Sequence, residues 1–174
     1  MPGGRALVVL AAGVGSRYGG LKQLAEVSDG GYSLMDYAVF DALRAGFDPV
    51  VFVVSAGSED AVRAHVESGC ARHVGVRFAR QESGSRAKPW GTGHAVLTAR
   101  PFVDEGFGVV NADDYYGRRS FGLLAEGLAE PGEHNVLVGF TLRDTLSPFG
   151  GCPAGSAWSR ATTSEQSWSC TRSG

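Results

Sequence analysis

Residues Arg5 to Lys22 read RALVVLAAGVGSRYGGLK, and the break inside that stretch decides the fold. Arg5 to Ala11 is a short, continuous apolar run, the pattern of a strand covered on both faces rather than one that alternates between core and water. Four glycines follow, at 13, 15, 19 and 20, with Arg17 and Lys22 among and after them. Glycines let successive backbone N–H groups turn inward on an anion without Cβ interference. Arg17 and Lys22 add the positive charge that a polyphosphate requires. Tyr18 stands where a dinucleotide-binding loop has its third glycine, and no Gly-Lys-Ser/Thr completes a Walker A loop. The plain alternative is a glycine-rich connection carrying a surface Arg and Lys. The run also imitates a short signal peptide, but a charged, glycine-rich loop directly after it fits a strand-to-loop transition better.

Outward from this point the chain alternates. Ser33 opens SLMD, a capping box, and Leu34, Ala38, Val39, Ala42 and Leu43 form a helical apolar face that Gly46 ends. Residues 49–54 (PVVFVV) are a second buried strand. Ser58 caps the helix EDAVRAHVES, which Gly69 stops. Residues 74–79 are a weaker strand and 94–100 a helix. Residues 107–112 form a fourth strand, 120–129 a helix, and 135–142 (NVLVGFTL) a fifth strand. Asp36 and Asp41 are taken as helix-surface charges. Strands alternating with helices predict an α/β fold with a mainly parallel sheet.

Composition narrows the function classes. The 174 residues carry a net charge of −2, which offers no electrostatic footprint for nucleic acid or an anionic membrane. No apolar run approaches the roughly 18 residues of a membrane-spanning helix. Cys70, Cys152 and Cys170 are too few for a disulfide scaffold and point to a reducing, cytoplasmic compartment. Glycine, 26 of 174, is about twice its usual share. There is no isoleucine, and Lys22 and Lys88 are the only lysines among 16 basic residues. Where arginine is so favoured, two retained lysines stand out as compact point charges.

Two further segments carry chemistry. Residues 80–95 read RQESGSRAKPWGTGHA. Gln81 can offer both a donor and an acceptor to a nucleobase edge. Gly91 and Gly93 allow close backbone approach, Thr92 suits a helix N-terminus, Lys88 is a mobile cation and Trp90 a flat apolar wall. Taken singly, Trp90 and His94 are packing or capping residues. Residues 111–117 read NADDYYG at the carboxyl end of a buried strand, where open α/β sheets bind ligands. Asp113 and Asp114 there suit Mg²⁺, which one or two carboxylates hold together with phosphate oxygens. The alternative is a solvated turn with one Asp capping the next helix.

LAAGVGSRYGGLKQ, RQESGSRAKPWGTGHA and NADDYYG, in this order and spacing, closely resemble the nucleotidyltransferase (sugar-phosphate nucleotidylyltransferase-like) family, from Ala6 to about Gly151. The resemblance implies a Rossmann-like three-layer fold of the nucleotide-diphospho-sugar transferase type. It implies transfer of NMP from an NTP to a phosphorylated acceptor, commonly a sugar 1-phosphate, with release of pyrophosphate. It further implies that Leu10, Ala12, Gly13 and Gly15 wrap the triphosphate. Arg17 and Lys22 then act on the phosphates as catalytic cations, Gln81, Gly91 and Thr92 read the base, and Asp113 holds Mg²⁺. Lys88 and Asp114 fall to the acceptor side or to supporting roles. Cytidylyl- or guanylyltransferases of a polyol phosphate or a cofactor share the early loop, and a non-catalytic NTP-binding module is a further reading. An NAD(P)-binding domain is disfavoured by Tyr18 and the charged loop.

The pattern stops near Gly151. Cys152 to Gly174 contains no Val, Leu, Met or Phe and is rich in Ser and Thr. Such a segment cannot bury a periodic apolar face. Residues 1–151 are therefore expected to form the NTP-binding portion, C-terminally incomplete, and 152–174 a low-complexity tail, disordered or foreign to the family, from truncation, frameshift or divergence. Little or no transferase activity is expected of such a chain.

Overall fold

The computed structural model describes residues 5–13, 21–84, 90–103, 106–132 and 134–141. The chain divides into two compact units, Met1–Val136 and Leu137–Gly174. The described part of the second is 137–141, which holds no helix or strand.

Among the described residues of the first unit, four strands alternate with four α-helices. They are β1 (Arg5–Leu10), α1 (Leu34–Arg44), β2 (Phe47–Val54), α2 (Glu59–Ser68), β3 (Val76–Arg80), α3 (Thr92–Ala99), β4 (Gly108–Asn111) and α4 (Arg118–Ala129). The sheet order is β3-β2-β1-β4, and every neighbouring pair is parallel, with Val8 beside both Val51 and Val109. The α/β reading holds.

The apolar runs split by alternation between two cores. Leu7, Val9, Val50, Phe52 and Val54 face one way and pack with Met35, Val39, Val62, Val66 and Phe121 of α1, α2 and α4. Val8, Val51, Val53 and Ala79 face the other way and pack with Ala95 and Ala99 of α3. This explains why β1 and β2 read as continuous hydrophobic stretches: both faces are covered. It also sets the topology. From β1 the chain steps outward to β2 and β3 with α1 and α2 on one face, then crosses back to β4 with α3 on the other, as right-handed connections require. The direction of winding reverses between β1 and β4.

The capping box is present: Asp36 N–H donates to Ser33 Oγ at 3.3 Å and Ser33 N–H to Asp36 Oδ2 at 2.8 Å. Asp36 is accordingly not a bare surface charge, since the same carboxylate also meets His65 Nε2 at 2.8 Å. Gly46 ends the turn after α1 with φ of +89°, a conformation that a Cβ makes costly. Helix α2 spans EDAVRAHVES as expected, yet Ser58 does not cap it. Its hydroxyl is drawn instead to the end of β1, as described below.

Among the described residues the expected fifth strand is not formed. Residues 134–141 form no strand, and Leu142 lies outside the described residues. A parallel strand needs apolar cover on both faces, whereas Leu137 and Phe140 are exposed. Val136 instead occupies the space beside Gly127, where a side-chain Cβ would come within 2.7 Å of it. The expectations for 152–174 fall outside the described residues.

Candidate functional site

The reversal of winding between β1 and β4 opens a crevice at the carboxyl ends of those strands, the place where open α/β sheets bind ligands. Leu10, Ala12 and Gly13 leave β1 on one side of it, and Asp113 and Asp114 leave β4 on the other. The two exits are tied together, because Ala112 N–H donates to Leu10 O at 3.1 Å. Ala12 is buried and Gly13 exposed, so the chain emerges from the core within one residue.

Gln23, to which the sequence reading gave no role, and Ser58, which it took for a helix cap, hold that exit. Gln23, only 5% exposed, donates from Nε2 to Ala11 O at 3.0 Å, and Ser58 donates from Oγ to the same oxygen at 3.2 Å. A carbonyl has two lone pairs, and both are met here by buried side chains. Ala11 N–H in turn donates to Val53 O at 2.8 Å. The start of the glycine-rich loop is thus fixed by three hydrogen bonds on one residue. The sequence carried no signal for this pair, because the burial that obliges the Gln23 amide to find a partner appears only in the fold.

Lys22 begins a single helical turn, Lys22–Leu24, and its Nζ lies 2.8 Å from Asp113 Oδ2. This pair joins residues 91 positions apart in sequence across the crevice. The side chains are 50% and 39% exposed, so the pair is worth only about 0–1 kcal/mol and is readily exchanged for other charged partners.

Asp114, adjacent in sequence, is placed differently. Its Oδ2 accepts from Asn111 Nδ2 at 2.8 Å and from the Tyr116 hydroxyl at 3.4 Å. Tyr116 Oη also accepts from Asn111 N–H at 2.9 Å. Burial pushes the Tyr116 phenol up to about 12, with the Asp114 and Asp113 carboxylates adding to the rise and the Asn111 N–H opposing it. It therefore remains a donor at neutral pH. Asp114 closes a local turn; Asp113 faces the crevice.

The second corner lies where β3 passes to α3. Gln81 extends the β2–β3 ladder, donating its N–H to Val54 O at 2.7 Å, and is 4% exposed. Its Nε2 lies 3.2 Å from Gly91 O and 3.2 Å from His94 Nδ1. Gly91, with φ of +98°, precedes Thr92, the first residue of α3, and both are exposed. Trp90 is 60% exposed, with its ring 6.1 Å from that of His94. The structure thus brings Lys22 to Asp113 and Gln81 to Gly91. Gly15, Arg17 and Lys88 lie outside the described residues. Among the described residues no cluster of three or more His, Cys, Asp or Glu could hold a metal. No helix among them is long and apolar enough to cross a membrane.

Among solved structures, a UDP-glucose pyrophosphorylase complexed with UDP-glucose is 22% identical, with a TM-score of 0.55 over 72% of this chain and 52% of its own. The inositol-1-phosphate CTP transferase from T. maritima is 20% identical, with a TM-score of 0.56 over 68% of this chain and 47% of its own. These likenesses are of fold, and the chain spans about half the length of either structure. No curated protein matches the sequence. The model of the MobA-like NTP transferase domain matches residues 7–143, which takes in both sides of the crevice and the Gln81 corner. By that match the chain belongs to the MobA-like NTP transferase domain family, the nucleotidyltransferase class to which its motifs point.

Proposed function

We propose that this chain binds an NTP at the β1/β4 crevice and provides the nucleotide half of a nucleotidyltransferase. The reaction moves NMP to a phosphorylated small-molecule acceptor, a sugar 1-phosphate in the favoured reading, and releases pyrophosphate. The observation that carries this is the Lys22–Asp113 contact at 2.8 Å across the crevice. A cation suited to phosphate and a carboxylate suited to a hard metal meet, half-exposed, at the switch point of the sheet.

Charge matching gives each residue its part. Nucleotidyl transfer is an in-line attack on the α-phosphorus that asks for positioning and preorganised positive charge rather than covalent help. Lys22 holds phosphate oxygens, and Arg17 stabilises charge on the transferring group and on the departing pyrophosphate. Leu10, Ala12, Gly13 and Gly15 line the backbone around the triphosphate. The acceptor phosphate is already an oxyanion, so the chemistry needs no general base. Mg²⁺ fits as far as the donor set goes: Asp113 presents one available carboxylate, and Mg²⁺ is commonly held by one or two carboxylates plus substrate phosphates. It would neutralise phosphate charge there. Asp114, committed to Asn111 and Tyr116, supports the turn. Gln81, Gly91 and Thr92 form the base-reading corner, and Lys88 belongs to the acceptor side. The three cysteines, too few for a disulfide framework, favour action in the cytoplasm.

The T. maritima inositol-1-phosphate CTP transferase has a similar fold, which keeps a polyol phosphate as the second acceptor class. Pyrophosphate release in reactions pairing each of the four NTPs with a sugar 1-phosphate or a polyol phosphate tests both readings. Binding of NTP without turnover of either acceptor would reduce the chain to a nucleotide-binding module. Absence of NTP binding, with and without Mg²⁺, would overturn the proposal.

A further inference from the structure

The amide of Gln81 is committed on its nitrogen side. Gly91 O can only accept, so the atom 3.2 Å from it is the amide nitrogen, which settles how the side chain is turned. The amide has two hydrogens, and the second points to His94 Nδ1 at 3.2 Å. For this to be a hydrogen bond, Nδ1 must be the accepting nitrogen, so the ring proton of His94 sits on Nε2. Both donors are then spent inside the protein. The sequence suggested that Gln81 shows a donor and an acceptor to a base; the structure leaves it the acceptor alone. Its Oε1 has no partner among the described residues, on a side chain only 4% exposed. Oε1 is not among the buried atoms left without a partner, so it is the part of this almost buried side chain that stays open to an incoming donor.

Building on the nucleotide-binding reading above, we propose that His94 is a positioning residue for base selection. Its Nδ1 holds the Gln81 amide so that Oε1 meets the nucleobase as a pure acceptor. The preferred base presents an N–H at that point, and a base presenting a carbonyl or a bare ring nitrogen is rejected. His94 acts through Gln81. Its remaining contacts, the Thr98 hydroxyl donating to its backbone oxygen at 2.9 Å and the Trp90 ring at 6.1 Å, do not depend on an accepting nitrogen.

A leucine at 94 keeps apolar bulk but leaves the Gln81 amide held by Gly91 O alone, so the orientation that two acceptors fix together is loosened and the base meets Oε1 less exclusively. An asparagine can return an oxygen acceptor to the Nδ1 position. Calorimetric titration of the full chain with ATP, GTP, CTP, UTP and inorganic tripolyphosphate, each with Mg²⁺, reads the effect. In His94→Leu the affinity ratio between the best and the worst NTP is expected to fall about tenfold, with tripolyphosphate binding unchanged. In His94→Asn the ratio is expected to stay near that of the parent. An intact ratio in His94→Leu, an equal collapse in both variants, or a parent that binds all four NTPs alike overturns the proposal. The ¹⁵N shifts of the parent's His94 give a check independent of how the variants fold: a proton found on Nδ1 at neutral pH also overturns it. Failure of the parent to bind any NTP fails the nucleotide reading itself and the His94 role with it, an outcome distinct from intact NTP binding with an unaltered ratio.

Discussion

On the proposed reading, the β1/β4 crevice and the Gln81 corner would solve recognition in opposite ways. At the crevice, Lys22 and Asp113 are half-exposed and bound to each other by a contact that water screens. They can exchange partners at little cost, which suits groups that must receive a highly charged ligand and release a charged product. At the corner, Gln81 is almost wholly buried and both its donors are engaged. Nothing there is free to rearrange cheaply, which suits a group that must show one fixed face to a neutral base. Mobile charge supplies affinity; buried, fully assigned hydrogen bonds supply selectivity.

The largest expected effect tests the exchangeable side. If Lys22 and Arg17 hold phosphate as proposed, Lys22→Ala or Arg17→Ala is expected to weaken every NTP by about 10- to 150-fold through loss of a charge-assisted contact. Isothermal titration measures it, and equal loss across the four bases is the signature that separates this side from the corner. Parent-like affinity in both variants would show that the phosphates bind elsewhere.

Gln23→Ala probes the support beneath that exposed pair. It leaves Ala11 O with Ser58 alone and opens a space where a buried amide stood. A loss of about 1–3 kcal/mol in urea-unfolding stability is expected, with NTP affinity also reduced. A variant as stable as the parent would mean that the start of the loop is held by its strand hydrogen bonds alone.

The adjacent carboxylates allow the contrast to be made within two residues. Asp113→Asn should weaken Mg²⁺-dependent NTP binding with little change in stability, because a neutral amide is a poor ligand for a hard cation. Asp114→Asn should spare the metal dependence and cost about 0.5–1.5 kcal/mol of stability, since it disturbs the acceptor shared by Asn111 and Tyr116. Titrations with and without EDTA, paired with melting curves, give both readouts, and the reverse ranking would exchange the two roles.

The smallest effect is alkaline. Folding raises the Tyr116 phenol from 10.0 to about 12, so the folded state favours the protonated form. That contribution is fully present below pH 10 and is lost as pH rises from there through about 12. Tyr116→Phe is expected to flatten the decline of stability in this window. An unchanged slope would mean that the phenol titrates alike in folded and unfolded chains.

Much of this was legible in the sequence because it is local. Continuous apolar runs marked β1 and β2, since strands covered on both faces have no polar positions to alternate. Ser33 and Asp36 lie three apart and form their capping box within one helical turn. Gly13 marked the exit from β1. The run at 135–142 misled because it has the composition of a buried strand, while its described part, 135–141, pairs with no strand of the sheet. Ser58 misled for a related reason: a serine before a helix fits a cap, but this hydroxyl found a better acceptor in Ala11 O, 47 positions away.

By itself the sequence determined the alternation of strands and helices, the three motif segments and the family they point to, all of which rest on periodicity and on short-range backbone chemistry. Only the tertiary structure decided which side chains meet: that Lys22 reaches Asp113 rather than Asp114, that Gln23 and Ser58 share one carbonyl, and that the Gln81 amide spends both donors on Gly91 and His94. Those pairings depend on parallel strands bringing distant segments to one end of the sheet, and on the need of every buried polar atom for a partner, which no local pattern of residues can express.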